Sequence, residues 1–374
     1  MSDEKRMTRV TAATHRGAAE QIFKKLRECG ITAGHIAAGR SITLEEKKGF
    51  LGIGARSAIV EDPIEIISIL APPEMESAVL EAAVSAGRID IPGRGSVYSE
   101  VTTLLKAHEL CVELPSGCDS GLSGETQFIE ELMGICCIVQ RGQGDAVARV
   151  ALDTGTCVPS ITFGVGTGVR DKLGLLRIAI PADKEVVALA ASVHDADALM
   201  DLMIDIGRLD EPGKGFIHLF PIRKGVSNTK ITRGMPKHAA SIEQIISALD
   251  QVKGGTQWRS RSGMAAVGES SRRKYLSGLS GLSLICDEGR ADDLVKAAMS
   301  AGAAGATISR LKHVRPQDSP LAQVSPAREL SDMIVGEQQI PAILDALDKA
   351  GAFDDKTHGL LYSRPVPKAC TYLG

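Results

Sequence analysis

An α+β architecture of three successive β-α-β-β-α-β units is predicted for this chain of 374 residues. Three observations carry the prediction. A decapeptide occurs twice, as Ala-Gly-Arg-Ile-Asp-Ile-Pro-Gly-Arg-Gly at 86–95 and Ile-Gly-Arg-Leu-Asp-Glu-Pro-Gly-Lys-Gly at 206–215, with a weaker third copy at 350–359. A repeat at that spacing organises the whole chain. Each copy follows a strand-like run and an amphipathic helical pattern, and precedes another strand-like run. Aromatic residues make up only 3% of the chain against 39 glycines. The cores must therefore be built from Ala, Val, Ile and Leu, which suits small units with close helix–sheet packing.

The elements follow in chain order. Arg9–Ala13 reads as a strand, Gly17–Cys29 as a helix, and Ile31–Ile42 as a turn and strand. Ile64–Leu70 is β-rich, and Glu74–Ala86 carries Met75, Val79, Ala82, Ala83 and Ala86 at helical spacing. Ser96–Thr103 closes the first unit. The second repeats the plan with Ile135–Gln140, Gly144–Thr154, Val158–Phe163, Val186–Val193, Asp195–Ile206 and Phe216–Ile222. In its second helix, Leu199, Leu202, Met203 and Ile206 are expected to face inward. The third uses Leu282–Cys286, Ala291–Ala301, Ala306–Leu311, Leu330–Val335, Ile340–Ala350 and Gly359–Val366.

This order is the split βαβ, or ferredoxin-like, unit: a four-stranded antiparallel sheet with two helices on one face. The open face must be covered. Three tandem units can cover one another, which predicts an intramolecular pseudo-trimer. The units are expected at 7–107, 133–230 and 281–374, with linkers at 108–132 and 231–280. The second linker includes a helical pattern at Ser241–Val252, and Ser-Gly-Leu-Ser-Gly precedes both later units at 120–124 and 277–281.

Composition excludes several functions. The formal net charge of -3 does not suit a nucleic-acid binder, and scarce aromatics argue against base-stacking platforms. No apolar run approaches the ~18 residues of a membrane span, and Met1–Arg9 lacks an apolar signal core, so a cytoplasmic protein without membrane insertion is expected. The eight cysteines show no zinc spacing, the eight histidines form no ligand pair, and no metal site is expected. Cys136, Cys137 and Cys286 lie in apolar runs, as small buried hydrophobes do. The basic stretch Arg259, Arg261, Arg272, Arg273 and Lys274 reads either as a solvated linker or as a phosphate or partner contact.

Three features have chemical content. In the repeated loop, Gly87 and Gly207 are expected as left-handed helix caps, followed by Arg88 and Arg208. Gly93-Arg94-Gly95 and Gly213-Lys214-Gly215 then set a bending backbone beside a cation. Glycine lets peptide N–H groups approach an anion, and Arg or Lys supplies charge. Second, Gly52-x-Gly54-x-Arg56 and Gly166-x-Gly168-x-Arg170 mark the connection between second and third strands, read either as a flexible loop or as a plain hairpin turn; Gly39-Arg40 lies at the same end. Third, Lys106, Arg223, Lys224, Arg364 and Lys368 follow the last strands, where they can reach a neighbouring unit. No nucleophile elbow, zinc-protease motif, P-loop or acid–base dyad is present, so no catalytic residue is assigned. Asp90 and Asp210 recur, in a place where Asp more often supports a turn.

The order strand, helix, Gly-Arg-Ile/Leu-Asp-x-Pro-Gly-Arg/Lys-Gly, strand, basic tail resembles the second half of nitrogen-regulatory PII signal-transduction proteins. The resemblance covers about a hundred residues three times and is weakest in the third unit. It implies a trimer-like arrangement, with ATP, ADP or AMP or another anionic metabolite bound in clefts between units and no prosthetic group. It also implies a regulated protein partner, a membrane transporter or an enzyme. By resemblance, Gly87, Arg88, Gly93, Arg94 and Gly95 form one phosphate loop and Gly207, Arg208, Gly213, Lys214 and Gly215 another, with Arg223 and Lys224 reaching phosphates from the last strand. The repeated loop is two residues longer than the family's. No Tyr lies between 32 and 63, so the family's modified tyrosine has no counterpart. Asp354 and Asp355 in the third loop would repel phosphate, so fewer than three equal sites are expected. Two other readings stay open: an enzyme with Asp90 or Asp210 as an acid beside Arg88 or Arg208, and a ligand-free assembly module.

Overall fold

The computed structural model describes residues 4–47, 56–111, 126–168, 182–233, 273–316, 319 and 323–373. The expected helix at 241–252, Arg259, Arg261, Arg272, the glycines 52 and 54, and Arg170 lie outside them.

The first repeat comprises β1 (Lys5–His15), α1 (Ala19–Glu28), β2 (Gly34–Lys47), β3 (Arg56–Ala71), α2 (Glu76–Gly87) and β4 (Gly95–Ala107). The second comprises β5 (Leu132–Gln140), α3 (Gly144–Asp153), β6 (Ser160–Gly168), β7 (Asp183–Ser192), α4 (Ala196–Gly207) and β8 (Gly215–Ile222), followed by the short strand β9 (Lys224–Val226). The third comprises β10 (Leu279–Asp287), α5 (Ala291–Ser300), β11 (Gly305–Val314), β12 (Ala327–Gly336), α6 (Ile340–Lys349) and β13 (Leu360–Val366), then β14 (Ala369–Thr371). The strand orders β4-β1-β3-β2, β8-β5-β7-β6 and β13-β10-β12-β11 are the same antiparallel order three times.

The helices cover one face of each four-stranded set because each carries a buried apolar stripe. In the first repeat Ile22, Phe23 and Leu26 of α1 and Val79, Leu80 and Ala83 of α2 pack on Val10, Ile67 and Ile69 of the strands. Burial of each large aliphatic side chain contributes about 1.5–3 kcal/mol. Equivalent cores form around Val147, Met203 and Val187 and around Val295, Ile343 and Leu284. The inward stripe of α4 differs from the expected one. Leu199 and Met203 are buried, but Leu202 and Ile206 are exposed, and Met200 and Ile204 take their places. Through this stripe α4 packs on α3, β5 and β8, neighbours that a purely sequence-based stripe does not register.

Strands also pair between repeats. The second strands meet one another: β2 pairs β6, β6 pairs β11, and β11 pairs β2. The segments after the last strands meet too. The end of β4 pairs β13, β9 pairs β4, and β14 pairs β8. This pairing overturns one expectation. Gly166 and Gly168 do not form a loop but lie in β6, opposite Thr307 and Gly305 of β11. The free edge of β11 supplies the partners that keep the strand extended, and a Cβ at Gly164 would sit 2.8 Å from the Thr307 methyl.

The last strands carry unlike residues at matching positions. Counting from the loop-ending glycines 95, 215 and 359, the fifth residue is Glu100, Phe220 or Arg364. Arg364 Nη1 donates to Glu100 Oε2 at 3.0 Å, and its guanidinium lies 4.1 Å from the centre of the Phe220 ring. Arg9 closes the group with Nε 2.9 Å and Nη2 2.8 Å from Glu100 Oε1. Strand register places Gly134 and Gly281 where the first repeat has Arg9. The glycine leaves room for the larger partner: a Cβ at Gly134 would lie 2.1 Å from the Phe220 ring. Three repeats thus fill one place with an anion, an aromatic ring and a cation.

Candidate functional site

The loops between the second helix and last strand depart from the expected geometry at their first residue. Gly87 and Gly207 are the last helical residues, and it is Arg88 and Arg208 that adopt left-handed φ of 53° and 52°. The glycines serve close packing instead. A Cβ at Gly87 would press on Ile89 and Ile22 at 3.1–3.2 Å, and one at Gly207 on Leu209 at 2.9 Å. An arginine in this conformation is strained, and strain of this kind persists where the surroundings over-determine it. Ile89, Leu209 and Ala352 each donate a backbone hydrogen bond back into their helices, to Val84, Ile204 and Leu347. The left-handed position in the third loop is therefore Gly351, φ 76°, and that loop is one residue longer than its sequence alignment suggests.

The first loop is held by its neighbours. His15 Nε2 lies 3.0 Å from Gly93 O. Gly93 N donates to Asn228 Oδ1 at 3.2 Å, and the same oxygen accepts from Lys230 N at 3.2 Å. Asn228 and Lys230 belong to the tail of the second repeat. Past β9 this tail turns onto β2, where Leu44 N donates to Ile231 O at 2.7 Å and Arg233 N to Leu44 O at 2.8 Å.

Loop and tail enclose a groove of about 420 Å³ lined by His15, Thr43, Asp62, Gly93, Arg94, Lys230 and Arg233, among others. Arg233 is tied to Asp62. Arg94 and Lys230 are exposed and make no ion pair among the described residues. Two cations without an ion pair among the described residues, beside a glycine turn, supply the charge and the open backbone that an anion requires. Arg88 is exposed next to this loop, and Gly87 and Gly95 bracket it.

The other loops are differently furnished. In the second, Arg208 is paired with Glu211 at 2.6 Å, and Gln140 Nε2 donates to Gly213 O at 3.0 Å. Arg273 packs beside it with Asp201, Asp205 and Asp210 as partners, so this member of the basic stretch is bound to α4. Lys214 has no ion pair among the described residues. In the third, His108 Nε2 meets Asp355 at 2.9 Å, and His358 Nδ1 meets Asp287 at 2.8 Å.

The basic tails do not reach the loops as expected. Arg223 Nε is 3.0 Å from Glu76 and Lys224 Nζ donates to Ser77 Oγ at 2.9 Å, at the start of α2, whereas the loop lies at its end. Lys368 makes the matching contact with Asp197 of α4 at 2.7 Å, and Lys106 reaches Asp348 of α6 at 2.6 Å. Arg364 is buried at the centre. These cations fasten one repeat to the next, because carboxylates and a hydroxyl on the neighbouring helices satisfy them first. Arg40 is likewise held, by Asp145, Glu61 and Glu185. Arg56 opens β3. Sequence reasoning missed Asn228, Lys230 and Arg233, although a polar, basic run directly after the last strand was the available signal.

No family model matches the chain, and no curated protein matches it. Among solved structures, the ATP complex of B. subtilis GlnK is similar to 26% of this chain, over 84% of its own, at 19% identity and a TM-score of 0.23. A second B. subtilis GlnK structure matches 26% of this chain and 85% of its own, at 18% identity and a TM-score of 0.23. No helix among the described residues is long and apolar enough to cross a membrane.

Proposed function

We propose that the chain is a PII-like regulatory protein whose three repeats act as an intramolecular counterpart of a trimer. On this reading it binds an adenine nucleotide or another phosphorylated anion in the groove between the first loop and the second repeat's tail, and it relays occupancy to a protein partner. The observation that carries the reading is the pair Arg94 and Lys230 beside Gly93, without carboxylate partners among the described residues. The sequence resemblance of the loop to a phosphate-holding loop supports it from a second direction.

Arg223 and Lys224 are not assigned to the site, since Glu76 and Ser77 occupy them. Calorimetry with ATP, ADP and AMP tests the reading. Arg94→Ala should weaken binding by about 1.5–3 kcal/mol, the worth of a hydrogen bond to a charged group. Lys214→Ala, on the second loop, should leave this groove unaffected. Flat titrations of folded protein with all three nucleotides would remove the nucleotide version.

A further inference from the structure

The outer face of α4 differs from that of the matching helices. Aligned on the buried pairs Val79 and Ala83, Leu199 and Met203, and Ile343 and Leu347, the three second helices carry a further stripe that starts one position earlier. In the first repeat it is Ala78, Ala82 and Ala86, and in the third Ala342, Ala346 and Ala350. In the second it is Ala198, Leu202 and Ile206, with Leu202 45% and Ile206 56% exposed. A single exposed Leu needs no explanation. Two large apolar side chains one turn apart, where both other repeats have alanine, point to a partner surface.

The chain leading into each later repeat crosses the second helix of the repeat before it. Ahead of β5, Thr126 Oγ1 donates to Glu81 Oε2 of α2 at 2.7 Å, Ile129 N donates to Gly225 O at 2.8 Å, and Lys224 Nζ lies 5.6 Å from the centre of the Phe128 ring. Ahead of β10, Arg273 pairs with Asp201 of α4, Leu276 N donates to Ala369 O at 2.8 Å, and Lys368 Nζ lies 3.9 Å from the centre of the Tyr275 ring. Asp201 takes the place of Glu81 in the helix alignment, so the same corner is built twice. Arg273 pairs with Asp205 as well, and its two partners directly precede Leu202 and Ile206 in sequence. The chain that arrives at Arg273 therefore arrives beside the exposed stripe.

Residues 234–272 join Arg233, fastened on β2, to Arg273. Within them Ile242, Ile245, Ile246, Leu249 and Val252 recur at the spacing of one helix face. The stretch from Val252 to Arg273 reaches up to roughly 70 Å when extended. The twelve residues of α4 cover only about 18 Å. We infer that the stripe of α4 seats this apolar run of the same chain. The seat stands whether or not the groove takes an anion. Since Ile206 directly precedes the second loop, it gives that loop a neighbour that the first and third lack.

Hydrogen exchange on the full chain compares wild type with Leu202→Ala/Ile206→Ala, which gives α4 the residues of the other two repeats and so should fold. Wild-type amides at 241–252 should exchange at least about tenfold more slowly than unprotected amides, and the variant should lose that protection while α3 and β5 keep theirs. Ile245→Asp, on the other side of the contact, should do the same. Unprotected amides at 241–252 in wild type, or protection there that survives the α4 variant, would overturn the inference. Native mass spectrometry identifies the competing occupant. A dimer that the α4 variant dissolves, with 241–252 unprotected, would assign the stripe to a second copy of the chain and overturn the inference too.

Discussion

Replacing Glu100 by Gln perturbs the centre of the molecule without changing its shape. The carboxylate is 1% exposed and faces two cations, Arg9 at 2.8 Å and Arg364 at 3.0 Å. The amide leaves two buried guanidinium groups with no carboxylate in contact. Removing one partner of a buried ion pair costs about 3–5 kcal/mol, because the stranded charge is not resolvated. Arg364→Met is the informative contrast. Glu100 then keeps Arg9, and Met can lie against Phe220, so the expected cost is lower, about 1.5–3 kcal/mol. In the double variant one of the stranded cations is gone, and the losses should add to less than their sum by about 1 kcal/mol or more. Urea unfolding followed by far-ultraviolet circular dichroism gives each value from midpoint and slope. A loss under about 1 kcal/mol for Glu100→Gln, or strict additivity in the double variant, would refute the argument that a desolvated carboxylate organises this centre.

Acid should loosen the protein through its buried imidazoles. His35 and His313 stack at 4.9 Å where β2 meets β11. Burial pushes both below their usual range, with His313 and Arg328 adding to the effect on His35, and Arg328 and Arg315 bringing His313 to about 4. Their folded-state values lie below the unfolded one, so the stability they protect is present at neutral pH. It is lost as pH falls from about 6.5 toward 4, by up to about 1.4 kcal/mol per pH unit for each proton taken up on unfolding. Urea midpoints should fall between pH 7 and 5, and a pH-independent midpoint would contradict this. Gly134→Ala should destabilise by at least about 1–3 kcal/mol through overpacking against Phe220. Phe220→Leu in the same background should recover part of the loss, and a neutral Gly134→Ala midpoint would show that the ring moves freely.

Local chemistry made much of the fold legible. The paired Gly-Arg and Pro-Gly steps punctuate the first two repeats at the same point, and the apolar periods on either side distinguish helix from strand in all three. What failed was long-range. Gly166 and Gly168 read as a loop because nothing in their own neighbourhood shows that β11 will pair with them. Arg223, Lys224 and Lys368 do reach a neighbouring repeat, but the partners that hold them there, Glu76, Ser77 and Asp197, lie far away in sequence, so the phosphate contact expected of Arg223 and Lys224 could not be told from an ion pair. The groove itself was half legible. Arg94 stood in the repeated motif, whereas Asn228 and Lys230 come from another repeat and meet Gly93 only in the fold. The one-residue offset at Gly351 was hidden because Ala350-Gly351 imitates Ala86-Gly87, and only the hydrogen bond from Ala352 to Leu347 shows which residue turns.

The mismatched trio at the centre also dictates who can stand next to whom. Three copies of the third repeat meeting there would bring together three arginines without a carboxylate, whereas in the mixed set the first repeat supplies the glutamate and the second the ring that Arg364 contacts. One carboxylate then answers both Arg9 and Arg364. Strands borrowed from a second copy of the chain would have to arrive in the same order to fit. Joining the repeats in one polypeptide therefore does more than keep them close: it supplies one of each kind, in fixed ratio. It also frees each seam to change without its two sisters changing in step.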